Sequence, residues 1–162
     1  MPSRFFDLSG VYEHRVTFSE VDALGAVHHR CSAVWFEQAR EAYFRKFGIP
    51  FAQLAAQGKL LALRELTVRF EEFIGYDDPI AVRVALTKMR HVSFDLLYRV
   101  DNLATGKLGQ WGTTNMVAVE AKEGRRLPAV GRFAFDREPV LQRIVEPDAF
   151  LKWDPFSELP SR

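Results

Sequence analysis

The chain has 162 residues, of which 48% are apolar and 27% are charged, and its formal net charge is +1. This length can bury one sizeable core, and the composition is that of a folded globular domain rather than a disordered segment. The nearly balanced charge argues against a general nucleic-acid-binding protein, which carries a strong basic excess. The single cysteine, Cys31, excludes an internal disulfide and a cysteine-based metal cluster.

The N-terminal part predicts a loose entry followed by a first strand. Residues 1–10 lack the long apolar core of a signal peptide, and no apolar run in the chain approaches the ~20 residues that span a bilayer. A cytoplasmic location is therefore the expectation. Alternation over residues 11–18 indicates a β-strand, whose more apolar face consists of Tyr12, His14, Val16 and Phe18.

A loop and a long helix follow between Phe18 and Phe47. The loop carries one carboxylate, Asp22, and one flexible position, Gly25. Apolar residues then recur at the i, i+3, i+4, i+7 spacing of a buried helical stripe, namely Cys31, Val34, Trp35, Ala39, Ala42, Tyr43 and Phe47. Gly48 and Pro50 end the helix, because glycine suits its C-terminal turn and proline cannot continue it.

Three basic side chains, His28, His29 and Arg30, stand at the start of this helix. A helix start carries partial positive charge from unpaired N–H groups, so each cation there costs about 0.3–1 kcal/mol. Local conflicts of this kind occur at functional sites, and free N–H groups suit an anion or a carbonyl oxygen that becomes one. The alternative is structural, with Arg30 in solvent and both histidines neutral and hydrogen-bonded.

The second half of the chain predicts an antiparallel sheet. A short helix over residues 51–57 closes at Gly58, and four strands with period-two alternation follow between Leu60 and Ala121, joined by short connections. One long helix and about five strands pack most simply with the sheet wrapped around the helix, an α+β architecture.

Composition separates the C-terminal part of the chain from this sheet. Residues 122–131 are basic and rich in turn formers, so they are expected to leave the sheet. Four prolines follow in residues 137–162, which do not resemble a second domain. Residues 1–136 are expected to form one domain, and residues 137–162 a C-terminal extension that is packed on the surface or partly mobile.

The segment FSEVDALGAVHH, residues 18–29, and the later FEQAR, residues 36–40, resemble the hotdog-fold acyl-CoA thioesterases. The resemblance is to the branch that contains 4-hydroxybenzoyl-CoA thioesterase and the YbgC-like acyl-CoA thioesterases. The positions that match its motif in register are Asp22, Gly25, Val27 and His29, and those that depart from it are Val21, Leu24 and His28. The resemblance implies a hotdog fold and thioester hydrolysis without a cofactor, since coenzyme A is part of the substrate.

In this branch a loop aspartate acts as nucleophile or general base, and an N–H group at the start of the central helix polarises the thioester carbonyl. Carried over by position, the resemblance assigns these roles to Asp22 and to the N–H of His29. The residues assigned to the oxyanion loop are Gly25, Val27 and His28. The side chain of His29 either assists catalysis or is structural. Glu37 is the fallback carboxylate, because another hotdog branch uses a glutamate on the helix.

Coenzyme A would bring phosphates that need local positive charge. The family places such contacts on loops between strands, and one connection here carries Lys88, Arg90 and His91. The family also joins two subunits through their sheets, so we expect a homodimer or a dimer of dimers, which is a homotetramer. The expected ligand is an acyl-CoA or acyl-carrier-protein thioester whose acyl group stays open, and neither a metal nor a nucleic acid is expected. A non-catalytic hotdog protein that binds acyl-CoA or acyl-carrier protein is the alternative, and a dehydratase fits the loop motif poorly.

Overall fold

The computed structural model describes residues 4–122, 125–128 and 141–157. The elements in chain order are α1 (Arg4–Leu8), β1 (Ser9–Arg15), a 3₁₀ turn (Phe18–Glu20), α2 (Arg30–Lys46), α3 (Phe51–Ala56), β2 (Lys59–Phe70), β3 (Pro79–Met89), β4 (Ser93–Asn102), β5 (Lys107–Lys122), β6 (Arg125–Pro128) and α4 (Pro147–Lys152). Within these ranges, no helix combines the length and the apolar character needed to cross a membrane.

The strands form one sheet in the order β1-β3-β4-β5-β2, with β6 paired to the end of β5. Every pairing is antiparallel. Strands β1 and β2 are the two edges, although β2 is separated from its neighbour β5 by two other strands in sequence. The α+β architecture expected from the sequence, with an antiparallel sheet against one long helix, is confirmed.

The end of the sheet differs from the expectation. Residues Arg125–Pro128, which were expected to leave the sheet, pair as β6 with Val119–Lys122 of β5. A turn-rich connection can reverse the chain into a hairpin as readily as it can end a sheet, and composition does not distinguish these outcomes. The expected boundary at residue 136 lies outside the described residues, so the division into a domain and an extension stays a prediction.

The start of the chain also differs from the expectation. Residues expected to be a loose entry contain α1, and β1 begins at Ser9 and ends at Arg15. Because the strand stops early, Phe18 falls in the 3₁₀ turn and is 78% exposed instead of joining the apolar face of a strand.

Helix α2 packs against one face of the sheet, called here the inner face. Its aromatic residues Trp35, Phe36 and Tyr43 are all buried against inner-facing side chains of β3 and β4. The ring of Phe36 stacks on Tyr98 with a centroid separation of 4.3 Å. Burial of several large aromatic side chains supplies much of the stabilisation available to a chain of this size.

The buried arc of α2 is rotated from the stripe expected from the sequence. Val34 was expected on the stripe but is 58% exposed, whereas Phe36 is fully buried. The cause is contact with the middle of the sheet: Ser32 donates to Gln110 of β5 at 2.7 Å, and Arg40 donates to the hydroxyl of Tyr98 at 3.2 Å. These contacts draw the face of Ser32, Phe36 and Arg40 into the core.

The opposite face of the sheet, called here the outer face, is covered by both described ends of the chain. Phe5 and Phe6 of α1 meet Phe150 and Trp153 there. Arg99 of β4 anchors this layer, since its Nη1 donates to the carbonyl oxygens of Phe150 and Trp153, both at 2.7 Å. Arg99 pairs with the carboxylate of Asp101 at 2.7 Å, and Arg83 pairs with the same carboxylate at 2.7 Å.

Gly10 sets the distance between β1 and α2. A Cβ atom at this position would lie 2.6 Å from Cα of Tyr43 and 2.8 Å from its backbone nitrogen. A side chain there therefore meets backbone, which cannot turn aside as a side chain can. The absence of a side chain allows the helix to approach the strand.

Gly10→Ala should lower the stability of the protein, because the methyl group forces α2 and β1 apart. Overpacking of this kind costs about 1–3 kcal/mol. Urea unfolding of the variant measures the cost. The control is Val11→Ala, at a neighbouring position that is 47% exposed, which should change stability by less than about 0.5 kcal/mol. Equal stability of Gly10→Ala and wild type would mean that α2 shifts freely.

Candidate active site

The loop between the 3₁₀ turn and α2 is folded around the carboxylate of Asp22. Its Oδ1 atom accepts hydrogen bonds from the N–H groups of Leu24 (2.8 Å) and Ala26 (3.2 Å). The chain turns at Gly25, whose φ of 77° lies in the left-handed region that glycine adopts without strain. Aspartate suits such turns because its short side chain accepts from nearby N–H groups. Asp22 thus shapes its own loop, and no described residue donates a hydrogen bond to its Oδ2 atom.

The segment that follows β2 supports this loop from one side. The N–H of Val27 donates to the carbonyl of Ile74 at 2.9 Å, and Ala26 forms a β-bridge with Gly75. The N–H of Gly75 is in turn held by the carboxylate of Asp78 at 2.8 Å. The Asp22 loop is therefore attached to the region next to the β2 edge of the sheet.

The basic residues at the start of α2 make specific contacts with their surroundings. Arg30 donates from Nη2 to the carbonyl of Ser19 at 2.8 Å, and its backbone N–H donates to Nδ1 of His28 at 3.2 Å. The rings of His28 and His29 stack with centroids 4.2 Å apart, and the side chain of His29 is exposed. Arg30 thus binds the preceding 3₁₀ turn, and His28 supplies an acceptor that a helix start otherwise lacks.

One backbone N–H at this helix start is open. The N–H groups of Gly25, Val27 and His28 donate to the carbonyls of Asp22, Ile74 and Glu20. Those of Cys31 and Ser32 donate to the carbonyls of His28 and His29. The N–H of His29 has no acceptor among the described residues. The backbone donor expected at His29 is therefore available, whereas the N–H groups of Gly25, Val27 and His28 are already engaged within the loop and its support.

Glu20 lies beside the candidate site, and the sequence did not point to it. Its Oε1 accepts from the indole Nε1 of Trp35 at 2.9 Å, and its Oε2 lies 2.8 Å from Nε2 of His14 and accepts from the N–H of Thr17 at 2.7 Å. Burial opposes ionisation of the carboxyl, but these hydrogen bonds outweigh burial and lower the pKa of Glu20 to about 2. The carboxylate is therefore charged throughout the neutral range.

A local signal in the sequence could have revealed part of this arrangement. Thr17-Phe-Ser-Glu20 has the spacing of a capping box, in which a Thr side chain and a Glu three residues later bond reciprocally at a helix start. That pattern predicts the contact between Thr17 and Glu20. It does not predict the contacts with His14 and Trp35, which depend on the packing of β1 against α2.

Cys31 lies in the first turn of α2 and is buried. Its Sγ atom is 3.6 Å from the carbonyl oxygen of Glu20, and burial raises the pKa of the thiol. A thiol of this kind is protonated at neutral pH and is a poor nucleophile. The sequence-based interpretation of Cys31 as a small buried residue agrees with this position.

The three residues expected to contact coenzyme A lie at the connection between β3 and β4. Arg90 forms a bidentate ion pair with Asp95, at 2.8 and 2.6 Å, and these hydrogen bonds raise the pKa of Arg90. The side chains of Lys88 and His91 are exposed. Lys88 and His91 are therefore the more available cations, because Arg90 already has a carboxylate partner.

The fallback carboxylate, Glu37, stands on the exposed side of α2 with 60% of its side chain accessible. Its nearest cation is Arg40, at 4.0 Å, and no described contact joins it to the Asp22 loop. Among the residues that the structure describes, no group of three or more histidine, cysteine, aspartate or glutamate side chains could hold a metal ion.

Comparison with known proteins gives the family. A family model described as the thioesterase-like superfamily matches residues 16–153. A relative from Aquifex aeolicus (strain VF5), an inferred esterase, is 30% identical over 99 residues, which cover 60% of this chain and 77% of the relative. The acyl-CoA thioester hydrolase YbgC of Escherichia coli O157:H7 is 27% identical over 88 residues, 54% of this chain and 66% of that protein.

Solved structures share the fold. A DHNA-CoA thioesterase from Staphylococcus aureus has a TM-score of 0.68 at 24% identity, covering 74% of this chain and 80% of that chain. A 4-hydroxybenzoyl CoA thioesterase mutant in complex with 4-hydroxybenzoyl CoA has a TM-score of 0.72 at 18% identity, covering 85% and 99%. At these identities the likeness establishes the fold alone.

The chain belongs to the thioesterase-like superfamily, and its fold is the hotdog fold. Membership identifies the protein as a thioester hydrolase by class. The resemblance based on the Asp22 loop and the central helix is thereby confirmed for the family. The roles of the individual site residues stay predictions.

Glu20 should make stability depend on acidity. Its pKa in the folded chain, about 2, is below the ordinary value of 4.5. The stabilisation it contributes is therefore present above pH 4.5 and is lost as the pH falls from there toward 2. The difference in unfolding free energy between wild type and Glu20→Gln should therefore shrink as the pH falls through this range. Urea unfolding at neutral and at acidic pH measures this difference.

The control for this measurement is Glu37→Gln, at an exposed carboxylate on α2. Its stability difference from wild type should be small at both pH values, as is usual for exposed positions. A difference between wild type and Glu20→Gln that stays constant with pH would contradict the lowered pKa.

Proposed function

We propose that this protein hydrolyses acyl-CoA thioesters to a free acid and coenzyme A. The observation that carries the proposal is the open N–H of His29 at the start of α2, following a loop that presents the carboxylate of Asp22. Thioester hydrolysis builds negative charge on the carbonyl oxygen, and a fixed backbone donor is suited to receive it. The name of the relative YbgC, an acyl-CoA thioester hydrolase, supports the choice of substrate class.

In the proposed reaction the thioester carbonyl oxygen accepts a hydrogen bond from the N–H of His29. One oxyanion donor is typically worth about 2.7–4 kcal/mol in the transition state. Asp22 then acts in one of two ways. As a nucleophile, it attacks the carbonyl carbon, coenzyme A leaves as a thiolate, and water hydrolyses the resulting anhydride. As a general base, it takes a proton from the attacking water and gives it to the leaving thiolate.

Neither route requires a cofactor, because coenzyme A enters as part of the substrate. Its phosphates are proposed to meet the exposed side chains of Lys88 and His91, with Arg90 held beside them by Asp95. The acyl group stays open among aromatic, short- to medium-chain fatty and carrier-protein-bound acyl groups. The cytoplasmic location expected from the sequence also stays a prediction.

We propose further that the protein acts as a homodimer joined at β2, or as a pair of such dimers. Strand β2 is an edge of the sheet, and an edge strand offers unpaired backbone groups to another chain. The apolar side chains along and just after this strand are half-exposed, and they are Leu63, Leu66, Phe70 and Phe73. A second copy would cover this row. The Asp22 loop rests on Ile74 and Gly75, so the same contact would place the partner beside the loop.

Asp22→Asn should abolish most of the thioesterase activity, since the amide neither attacks nor accepts a proton. We expect kcat for release of the coenzyme A thiol to fall by roughly 10²–10⁴-fold across a panel of aromatic and short- to long-chain acyl-CoAs. His29→Ala is the matched comparison, because it keeps the backbone N–H. Unchanged turnover in His29→Ala would assign the role of His29 to its backbone alone.

Two outcomes of this panel would contradict the proposal. Hydrolysis by Asp22→Asn at the wild-type rate would remove Asp22 from the mechanism. Absence of thiol release by the wild type on every substrate, combined with measurable acyl-CoA binding, would favour a non-catalytic binding protein on the same fold.

Leu66→Lys should weaken the proposed dimer. Covering an unpaired ammonium group is unfavourable, and we expect the dimer dissociation constant to rise roughly tenfold or more, since each tenfold corresponds to about 1.4 kcal/mol. Light scattering over a concentration series measures the mass of the assembly. The control is Val11→Lys on the opposite edge strand β1, also half-exposed, which should assemble as wild type does. A monomeric wild type would exclude the dimer.

A further inference from the structure

Glu20 is bonded to three separate parts of the structure. Its carboxylate contacts His14 of β1, Thr17 before the 3₁₀ turn, and Trp35 in the second turn of α2, at distances of 2.7 to 3.0 Å. Both of its oxygens are engaged, and each contact fixes the carboxylate relative to a different element. The position of this side chain is therefore determined by the packing of β1 against α2.

The backbone of the same residue holds the start of α2. The carbonyl oxygen of Glu20 accepts from the N–H of His28 at 2.7 Å, and it also accepts from Sγ of Cys31 at 3.6 Å. The neighbouring carbonyl, that of Ser19, accepts from Arg30. The consecutive carbonyls of Ser19 and Glu20 thus contact Arg30 and His28, the residues on either side of His29.

We propose that Glu20 is a positioning residue for the thioesterase reaction: its carboxylate fixes the 3₁₀ turn between β1 and α2, and its carbonyl fixes the peptide that precedes the open N–H of His29. The proposal rests on the proposed function, in which that N–H polarises the thioester carbonyl. Glu20 itself touches neither substrate nor reacting atoms. It acts by orienting the N–H of His29. A hydrogen-bond donor stabilises the developing oxyanion best when it is already oriented before the reaction begins.

The charge of Glu20, and not only its size, is required for this role. Oε2 accepts from two groups of Thr17, its N–H and its hydroxyl, and lies against His14. A glutamine amide has one acceptor oxygen and one donor nitrogen, so its nitrogen would face either the N–H of Thr17 or the indole N–H of Trp35, donor against donor. Glu20→Gln therefore keeps the volume of the side chain and breaks its contact with either the turn or α2.

The test is the kinetics of Glu20→Gln with the best acyl-CoA of the substrate panel, measured well below its melting temperature. We expect kcat to fall about 10- to 100-fold, less than the full loss of an oxyanion donor. KM should stay within about twofold of wild type, because ground-state binding is unaffected. Affinity for an S-alkyl-CoA thioether, which lacks the thioester carbonyl group, should also be unchanged. A purely structural role would lower only the amount of folded protein, so kcat calculated per folded molecule would equal that of wild type.

A second variant keeps the test decisive if Glu20→Gln folds poorly. Trp35→Phe retains an aromatic ring in the core and removes the indole donor to Oε1 together with part of the ring volume. We expect its kcat to fall about threefold to tenfold with KM unchanged, as for small displacements of a positioned group. The matched control is Trp111→Phe, which removes an indole hydrogen bond of 2.8 Å to Glu71 on the outer face and should leave kcat unchanged.

The outcomes separate this proposal from the proposed function. One outcome would overturn the positioning role and leave the proposed hydrolase activity intact. In it, Asp22→Asn abolishes the turnover seen in wild type, whereas a folded Glu20→Gln or Trp35→Phe has a normal kcat. Equal losses in Trp35→Phe and Trp111→Phe would also overturn it. A wild type that releases no thiol from any acyl-CoA would overturn both.

Discussion

The enclosure of one helix by one sheet is the constraint on which the rest of this structure depends. Helix α2 buries Trp35, Phe36 and Tyr43 against the inner face of the sheet. Each large aromatic side chain removed from water contributes on the order of 1.5–3 kcal/mol, and a displaced helix would forfeit several such contributions together. Helix α2 is therefore fixed in place, and Gly10 sets its distance from β1 near Tyr43. The proposed donor, the N–H of His29 at the start of this helix, is thereby held against large movements.

Finer positioning comes from polar contacts around the same helix start. A half-buried carboxylate is unfavourable unless donors replace the water that it loses. Glu20 obtains these donors from β1, from the segment before the 3₁₀ turn and from α2, and those of His14 and Trp35 can approach only when β1 and α2 are correctly packed.

Local periodicity in the sequence was sufficient for the main elements, and the resemblance of the Asp22 loop motif was sufficient for the family. The alternation through Leu96, Tyr98 and Val100 identifies a strand because each side chain responds to the same two environments, core and outer layer. The spacing of Asp22, Gly25 and His29 identifies the loop, since turn chemistry is also local. Neither the strand nor the loop depends on which residues from distant parts of the chain pack against it.

The features that the sequence did not reveal depend on such neighbours. Whether Val34 or Phe36 is buried depends on how far the sheet reaches around α2, and a helical period of apolar residues is compatible with either. The pairing of residues 125–128 as β6 depends on the free edge of β5 beside them. Glu20 has a recognisable capping pattern with Thr17, but its contacts with His14 and Trp35 are made only in the folded chain.

The outer layer has a consequence for the order in which the protein is built. Its cluster joins Phe5 and Phe6 to Phe150 and Trp153, and Arg99 receives its carbonyl partners from more than fifty residues later in the chain. During synthesis the inner core around α2 can assemble from β1 to β5, while the outer side chains of β3 and β4 still lack their cover. Contacts between such distant segments form slowly because a long loop must close first. The nascent protein therefore exposes an apolar sheet face, with the buried charges of Arg99 and Asp101 at its centre, until residues 145–153 have emerged.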